Sequence, residues 1–363
     1  MSDPKLELNK MSSVLQPPED SKSLRPMPGG LFEDNPIRLD VLQGLEGRTI
    51  LSVKDFSREE VIELCKLAAI LENFEIAPFH VLDGKIAITA FFEASTRTRL
   101  SFESAVLRLD GKIISIPEGG NTGVKKGESL PDIGEMFNAY GDLVIMRHTQ
   151  TQAPVELLKN LRVPLINAGN GSGEHPTQAL ADWYALLKWQ PRLAETKVTA
   201  GGEIELGILG TPGSMRAVKS FLLLAPAFHK NIRKVTIVSE MADPLGEDVK
   251  EEIEKAGIEY AVSNDIQEVL PNLDVIYMNS IAFLGDSYKT LDSRYKLDAR
   301  SALKEEAVIL HPLARLNELD TSLDHTPHNL YFSQAHGAVF IRQALLMSVL
   351  GRLDRLPKEI PTA

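Results

Sequence analysis

The 363-residue sequence predicts an α/β protein with two doubly wound parallel-sheet lobes, and three observations carry that prediction. Short apolar runs rich in β-branched residues alternate with segments of helical spacing, the order expected when parallel strands are joined by helical crossovers. The alternation pauses at Gln190-Pro191 and a polar stretch to Gly202, then restarts. Finally, 363 residues at 43% hydrophobic exceed one core of common size and suffice for two.

Residues 1–45 carry Pro17, Pro18, Pro26, Pro28, Gly29 and Gly30 among scattered charges and show no apolar period, so a mobile leader is expected there. Ser57-Arg-Glu-Glu60 is a capping-box pattern ahead of Val61, Leu64, Cys65, Ala68 and Ala69, which are spaced for one helix face. The first domain is expected over 46–189. Its strands are Lys85–Phe92, Lys112–Ile116, Asp142–Arg147 and Val163–Ala168, with helices near 97–109, 130–139, 153–161 and 176–189. The second domain is expected over 190–332, with strands Leu206–Leu209, Lys234–Ser239, Tyr260–Ser263, Asp274–Met278 and Ala307–His311 and helices near 215–226, 246–256 and 265–270. A last helix, 333–351, is apolar enough through Ala338, Val339, Phe340, Leu345, Leu346 and Val349 to cross back onto the first lobe.

Composition narrows the function. A formal charge of -11 disfavours nucleic acid or an anionic membrane surface as partner, since both need a basic footprint. It leaves room for a small anionic substrate in a locally positive pocket. No apolar run is long enough to span a bilayer. The single cysteine, Cys65, reads as a small core residue and suggests a reducing compartment. The leader lacks the apolar stretch of a secretion signal, and its acidic residues fit poorly with a transit peptide, so a cytoplasmic location is expected.

In doubly wound sheets ligands bind beyond the carboxyl ends of the strands. The first strand is followed by Phe91-Phe-Glu-Ala-Ser-Thr-Arg-Thr-Arg99 and Leu100-Ser-Phe-Glu103. A hydroxyl cluster at a helix start offers free backbone N–H groups and the positive end of the helix dipole, which together suit a phosphate. Ser95, Thr96, Arg97 and Thr98 are therefore expected to cradle one. An ordinary N-cap with solvated arginines is the plainer alternative for a lone Ser-Thr-Arg. Arg147 closes another strand, and Ala168-Gly-Asn-Gly-Ser-Gly-Glu-His175-Pro-Thr-Gln178 follows a third, with glycines that let backbone approach a ligand.

These motifs, with His311-Pro-Leu-Ala-Arg315, resemble the aspartate/ornithine carbamoyltransferase family over about residues 47–352, in the same order. The Ala-Gly…His-Pro-Thr-Gln and His-Pro-Leu forms are similar to the aspartate branch rather than the ornithine branch. The resemblance implies transfer of a carbamoyl group from carbamoyl phosphate to an amino acid's amine, most simply that of L-aspartate. It implies that Ser95, Thr96, Arg97 and Thr98 hold the phosphate with Lys126 from a neighbouring subunit of a homotrimer. It further implies that Thr98, Arg147 and His175 contact the carbonyl oxygen, while Gln178 and the Leu313 carbonyl contact the NH2. Arg216 and Arg315 match positions suited to an anionic acceptor. No cofactor or metal is expected.

Several positions depart from the family pattern. Asn279-Ser-Ile-Ala282 stands where the aspartate branch reads Thr-Arg-x-Gln, so Ser280 and Ala282 replace the arginine and glutamine that would grip a second carboxylate. Lys289, Arg294 or Lys296 are candidates to compensate. Gly123 replaces a usual serine, and Ala314 replaces a proline commonly preceded by a cis bond. Carbamoyl transfer to another amine and a non-catalytic ligand-binding relative are the alternatives. A nicotinamide enzyme fits poorly, because Gly207-Ile-Leu-Gly-Thr-Pro-Gly213 only loosely matches the dinucleotide turn.

Overall fold

The computed structural model describes residues 26–73, 80–117, 127–195, 201–279 and 295–356. Residues 26–45 are not the mobile leader expected from their sequence. A 3-10 turn at Pro28–Leu31 and helix α1, Leu39–Gln43, place Leu31, Phe32, Ile37, Leu42 and Leu45 in the main core. The pieces are too short to show a helical period, and Pro28 opens a turn rather than marking a linker. Helix α2, Arg58–Asn73, begins with the expected capping box: Ser57 N–H donates to Glu60 Oε2 at 2.7 Å, and Glu60 N–H donates to Ser57 Oγ at 3.2 Å.

Among the described residues the first lobe holds four parallel strands: β1, Ile86–Phe91; β2, Lys112–Ile116; β3, Leu143–His148; and β4, Leu165–Asn170. Their spatial order is β2-β1-β3-β4. Crossovers are α3, Thr96–Arg108; α4, Leu130–Tyr140; and the short α5, Ala153–Leu157. Helix α5 ends well before the expected residue 161, and the Asn160 carbonyl there accepts from Asn138 Nδ2 at 2.8 Å instead of continuing a helix. Helix α6, Pro176–Trp189, then leads to the second lobe.

Among the described residues five parallel strands form the second sheet: β5, Ile204–Leu209; β6, Ile232–Val238; β7, Glu259–Ser263; β8, Val275–Met278; and β9, Val308–Leu310. Their order is β7-β6-β5-β8-β9. The helices are α7, Arg216–Leu224; α8, Glu247–Lys255; and α9, Ile266–Val269. Helix α7 stops short of the expected 226 because Pro226 cannot donate into it, and the chain tightens into a 3-10 turn at Ala225–Asn231.

The last helix, α10, Tyr331–Val349, crosses back and packs on α2, α3 and α6. Gly337 lets it approach α6 closely, since a Cβ there would lie 2.9 Å from the Tyr184 ring. Helices α6 and α7 join the lobes, with Trp183 stacked on Phe221 at 5.3 Å and on Phe228 at 4.1 Å between ring centroids. In each sheet the strand order reverses direction at one place, between β1 and β3 and between β5 and β8. The loops leaving those four strands face one another, which is where a ligand crevice is expected.

Candidate active site

That crevice is a cavity of about 850 Å³, lined from both lobes and from α10. Ser95, Thr96, Arg97, Thr98, Arg147, His175, Gln178, Arg216 and Leu313, nine of the residues singled out from the sequence, all line it. Ser95 is the N-cap of α3 but its side chain makes no capping hydrogen bond, so the hydroxyl and the first-turn amides stay available to an anion. Arg97 is exposed at the cavity, whereas Thr98 and Arg147 are buried.

Arg147 is held by Glu93, whose Oε1 accepts from Nη2 at 2.8 Å, and by the Ala168 carbonyl at 3.4 Å from Nη1. Its Nε finds no partner among the described residues. Burial, with Arg216 and Arg97 adding repulsion, pulls this guanidinium down to about 10, still charged at neutral pH. Arg216 also reaches Glu93, at 2.6 Å and 3.0 Å, and donates to the Gly171 carbonyl at 2.8 Å. Burial alone would raise the Glu93 carboxyl, but Arg216 and Arg147 outweigh it and hold it below its ordinary range. Gly169, at φ 115°, makes room for both arginines: a Cβ there would stand 3.1 Å from Arg147 Nη1 and 3.3 Å from Arg216 Nε.

Behind them lies His175, the N-cap of α6, anchored across the lobes by its backbone N–H to Ser220 Oγ at 2.8 Å. Its Nε2 is 3.3 Å from Thr98 Oγ1, and its Nδ1 has no partner among the described residues. Burial, reinforced by Arg147, Arg342 and Arg216, holds the ring well below 6.5, so it is a neutral donor at pH 7. Gln178 donates through Nε2 to Asp182 at 2.7 Å, and the Leu313–Ala314 peptide bond beside it is cis. Thr98, Arg147, His175, Gln178 and Leu313 thus present fixed donors and acceptors to one volume, within a positive setting that the overall charge of -11 does not suggest.

The remaining expectations divide in two. Lys126, Gly123, Ser280, Ala282, Lys289 and Arg294 lie outside the described residues. Arg315, expected at the acceptor, does not line the cavity; Asp324 binds its guanidinium with both oxygens, and Tyr331 packs against it. The spacing of His-Pro-Leu-Ala-Arg cannot reveal this, because Asp324 approaches only through the fold. Lys296 is paired with Asp320 at 2.9 Å. Four cavity or near-cavity groups received no role in the sequence reading: Glu93, Asp182, Gln334 and Arg342. A signal existed for two of them. Asp182 follows Gln178 by one helical turn, and Arg342 is the only Lys, Arg, Asp or Glu in α10.

Comparison with known proteins places both lobes in one family. Residues 48–188 match the family model described as aspartate/ornithine carbamoyltransferase, carbamoyl-P binding domain, and residues 202–349 match its Asp/Orn binding domain. The aspartate carbamoyltransferase catalytic subunit of Clostridium kluyveri is 33% identical over 313 residues, covering 85% of this chain and 99% of that protein. That of Vibrio campbellii is 38% identical over 309 residues, covering 83% and 96%. Among solved structures, aspartate transcarbamoylase from Trypanosoma cruzi with carbamoyl aspartate and phosphate superposes with a TM-score of 0.75 at 30% identity, covering 86% of this chain and 100% of that one. The same protein with carbamoyl phosphate and aspartate gives 0.74 at 31%, covering 85% and 98%. With both domain models matched in order and relatives of up to 38% identity over most of its length, the chain belongs to the aspartate/ornithine carbamoyltransferase family.

Proposed function

We propose that this enzyme transfers the carbamoyl group of carbamoyl phosphate to the amine of L-aspartate, giving N-carbamoyl-L-aspartate and phosphate, a step of pyrimidine biosynthesis in the cytoplasm. The observation that carries the reading is the convergence of Thr98, Arg147, His175 and Gln178 on one cavity with Ser95, Thr96 and Arg97 at its α3 end. The α3 N-terminus and Arg97 take the phosphate. Thr98, Arg147 and neutral His175 donate toward the carbonyl oxygen. As the amine attacks, a C–N bond forms and that oxygen gains charge; fixed donors aimed at it are worth about 3–4 kcal/mol each. The C–O bond to phosphate then breaks, and the leaving phosphate takes the amine proton. No covalent nucleophile is needed, because positioning and electrostatics supply the barrier reduction. Arg216 takes the acceptor's carboxylate nearest the amine.

The donor site is completed by Lys126 of a neighbouring subunit in a homotrimer. Mixing Lys126→Ala chains with His175→Ala chains tests this: hybrid trimers should regain activity, and no recovery after demonstrated exchange would mean each chain builds its own site. The test of the reaction itself is a screen of purified protein with carbamoyl phosphate against a panel of amino acids, following phosphate release. Aspartate-dependent release supports the proposal, whereas release with a monocarboxylate amine alone would replace aspartate as the acceptor. That second reading is favoured by one observation, the presence of Ser280 and Ala282 where arginine and glutamine are expected.

A further inference from the structure

Gln178 can serve as an acceptor for an NH2 group only if its amide is turned with the carbonyl oxygen toward the cavity. The hydrogen bonds around it decide that orientation. A backbone N–H can only donate, and the N–H of His311 meets Gln334 Oε1 at 2.9 Å. The Gln334 amide is thereby set with its NH2 on the far side, where Nε2 donates to Asp182 Oδ1 at 2.6 Å. Oδ1 is therefore an acceptor. An ionised Oδ1 can only accept, so the Gln178 group facing it at 2.7 Å is its NH2, and a proton taken up by Asp182 is accommodated on the other oxygen, toward the Tyr277 hydroxyl. Gln178 Oε1 then has no protein partner among the described residues, and the residue lines the cavity.

Asp182 is fully buried, on α6 of the first lobe. Its other oxygen accepts from the hydroxyl of Tyr277, on β8 of the second lobe, at 2.8 Å. Gln334 belongs to α10, and His311 belongs to the turn that also carries Leu313, where the Leu313 N–H donates to His311 Nδ1 at 2.8 Å. One chain of hydrogen bonds thus links the Leu313 turn to Gln178, the two acceptors assigned to the carbamoyl NH2.

We propose that Asp182, itself oriented by Gln334, is a positioning residue that sets the donor specificity of this enzyme: it holds Gln178 with its carbonyl oxygen facing the cavity, so that a donor bearing NH2 is selected over one bearing a methyl group. This rests on the carbamoyl-transfer reading. The contacts do not need the negative charge, only an acceptor at the Oδ1 position, because the Tyr277 hydroxyl can either donate or accept.

The test compares kcat/KM for carbamoyl phosphate with that for acetyl phosphate, which has CH3 in place of NH2, with aspartate as acceptor. Asp182→Leu, which removes the acceptor, should lower the carbamoyl-to-acetyl ratio by at least about 10-fold, since an unread polar group forfeits discrimination. Asp182→Asn, which restores an oxygen at the same place, should keep the ratio within about 3-fold of wild type. Thermal protection by inorganic phosphate should persist in both, because the phosphate end is untouched. If a folded Asp182→Leu protein loses both rates in parallel and keeps the ratio, Asp182 is only a tie between the lobes and the proposal is overturned. Should the leucine variant not fold, Gln334→Met serves, with an expected fall of at least about 5-fold in the ratio, and a ratio within about 3-fold of wild type overturning the proposal. A wild-type protein that turns over neither donor would instead defeat the carbamoyl-transfer reading and this proposal with it.

Discussion

Arg147→Met separates catalysis from stability in a way the structure makes quantitative. Burial and the neighbouring Arg216 and Arg97 lower Arg147 from its ordinary range to about 10 despite its contact with Glu93. A base whose folded pKa is depressed disfavours folding while charged, here by on the order of 3 kcal/mol. A neutral methionine of similar length removes that cost. It forfeits only a 2.8 Å bond to Glu93 and a 3.4 Å contact with the Ala168 carbonyl. Glu93 is not stranded, because Arg216 still holds both its oxygens. Stability should therefore change by no more than about 1.5 kcal/mol in either direction. Catalysis loses an oxyanion donor, which lowers kcat by about 10²–10³-fold. Steady-state kinetics with carbamoyl phosphate and aspartate, alongside thermal melting of the same preparations, gives both numbers. A fall in kcat below about 10-fold would remove Arg147 from the reaction, and a large loss of melting temperature would show its role to be structural.

Three further outcomes are expected. Phosphate or carbamoyl phosphate at about 100 times its Kd should stabilise the folded protein by about 2.7 kcal/mol, and Arg97→Ala should abolish most of the shift in melting temperature; an undiminished shift places the anion elsewhere. Burial pushes the Asp182 carboxyl up to about 7, against the hydrogen bonds of Gln334, Gln178 and Tyr277 and the attraction of Arg342. A raised folded pKa means the associated stability is present at low pH and is lost as pH rises through about 7. Asp182→Asn should accordingly melt above wild type at pH 8, with that advantage shrinking as pH falls from about 7 toward 4, and an advantage independent of pH would contradict the assignment. Installing arginine at Ser280 together with glutamine at Ala282 should raise kcat/KM for aspartate by about 10-fold, less for a monocarboxylate amine, if about 1.4 kcal/mol is realised in the transition state. Strong wild-type activity with aspartate that falls on substitution would mean that another cation already serves the second carboxylate.

Much of this protein is legible in its sequence, and for local reasons. Strand-then-helix order follows from apolar period, and β1, β3, β5 and β8 read clearly because central parallel strands are apolar on both faces. The hydroxyl and arginine cluster at Ser95–Thr98 was visible because its residues are consecutive and end a strand. The capping box at Ser57 and Glu60 was visible for the same reason. What the tertiary structure alone decided concerns groups far apart in the chain. Residues 26–45 carry no period, yet Ile37 and Leu42 are buried, because α2 and the crossing α10 offer them an apolar surface. Arg315 looked like a ligand for an anion until Asp324 and Tyr331 were brought against it. Glu93 sat in plain view inside a motif, but its place between Arg147 and Arg216 depends on a strand end of one lobe and a helix start of the other. Asp182 shows the limit most sharply. Its helical spacing to Gln178 is local, whereas the orientation it imposes comes from a backbone N–H at position 311, passed through Gln334, and no pattern along the sequence records that a donor which cannot reverse sits at the end of such a chain.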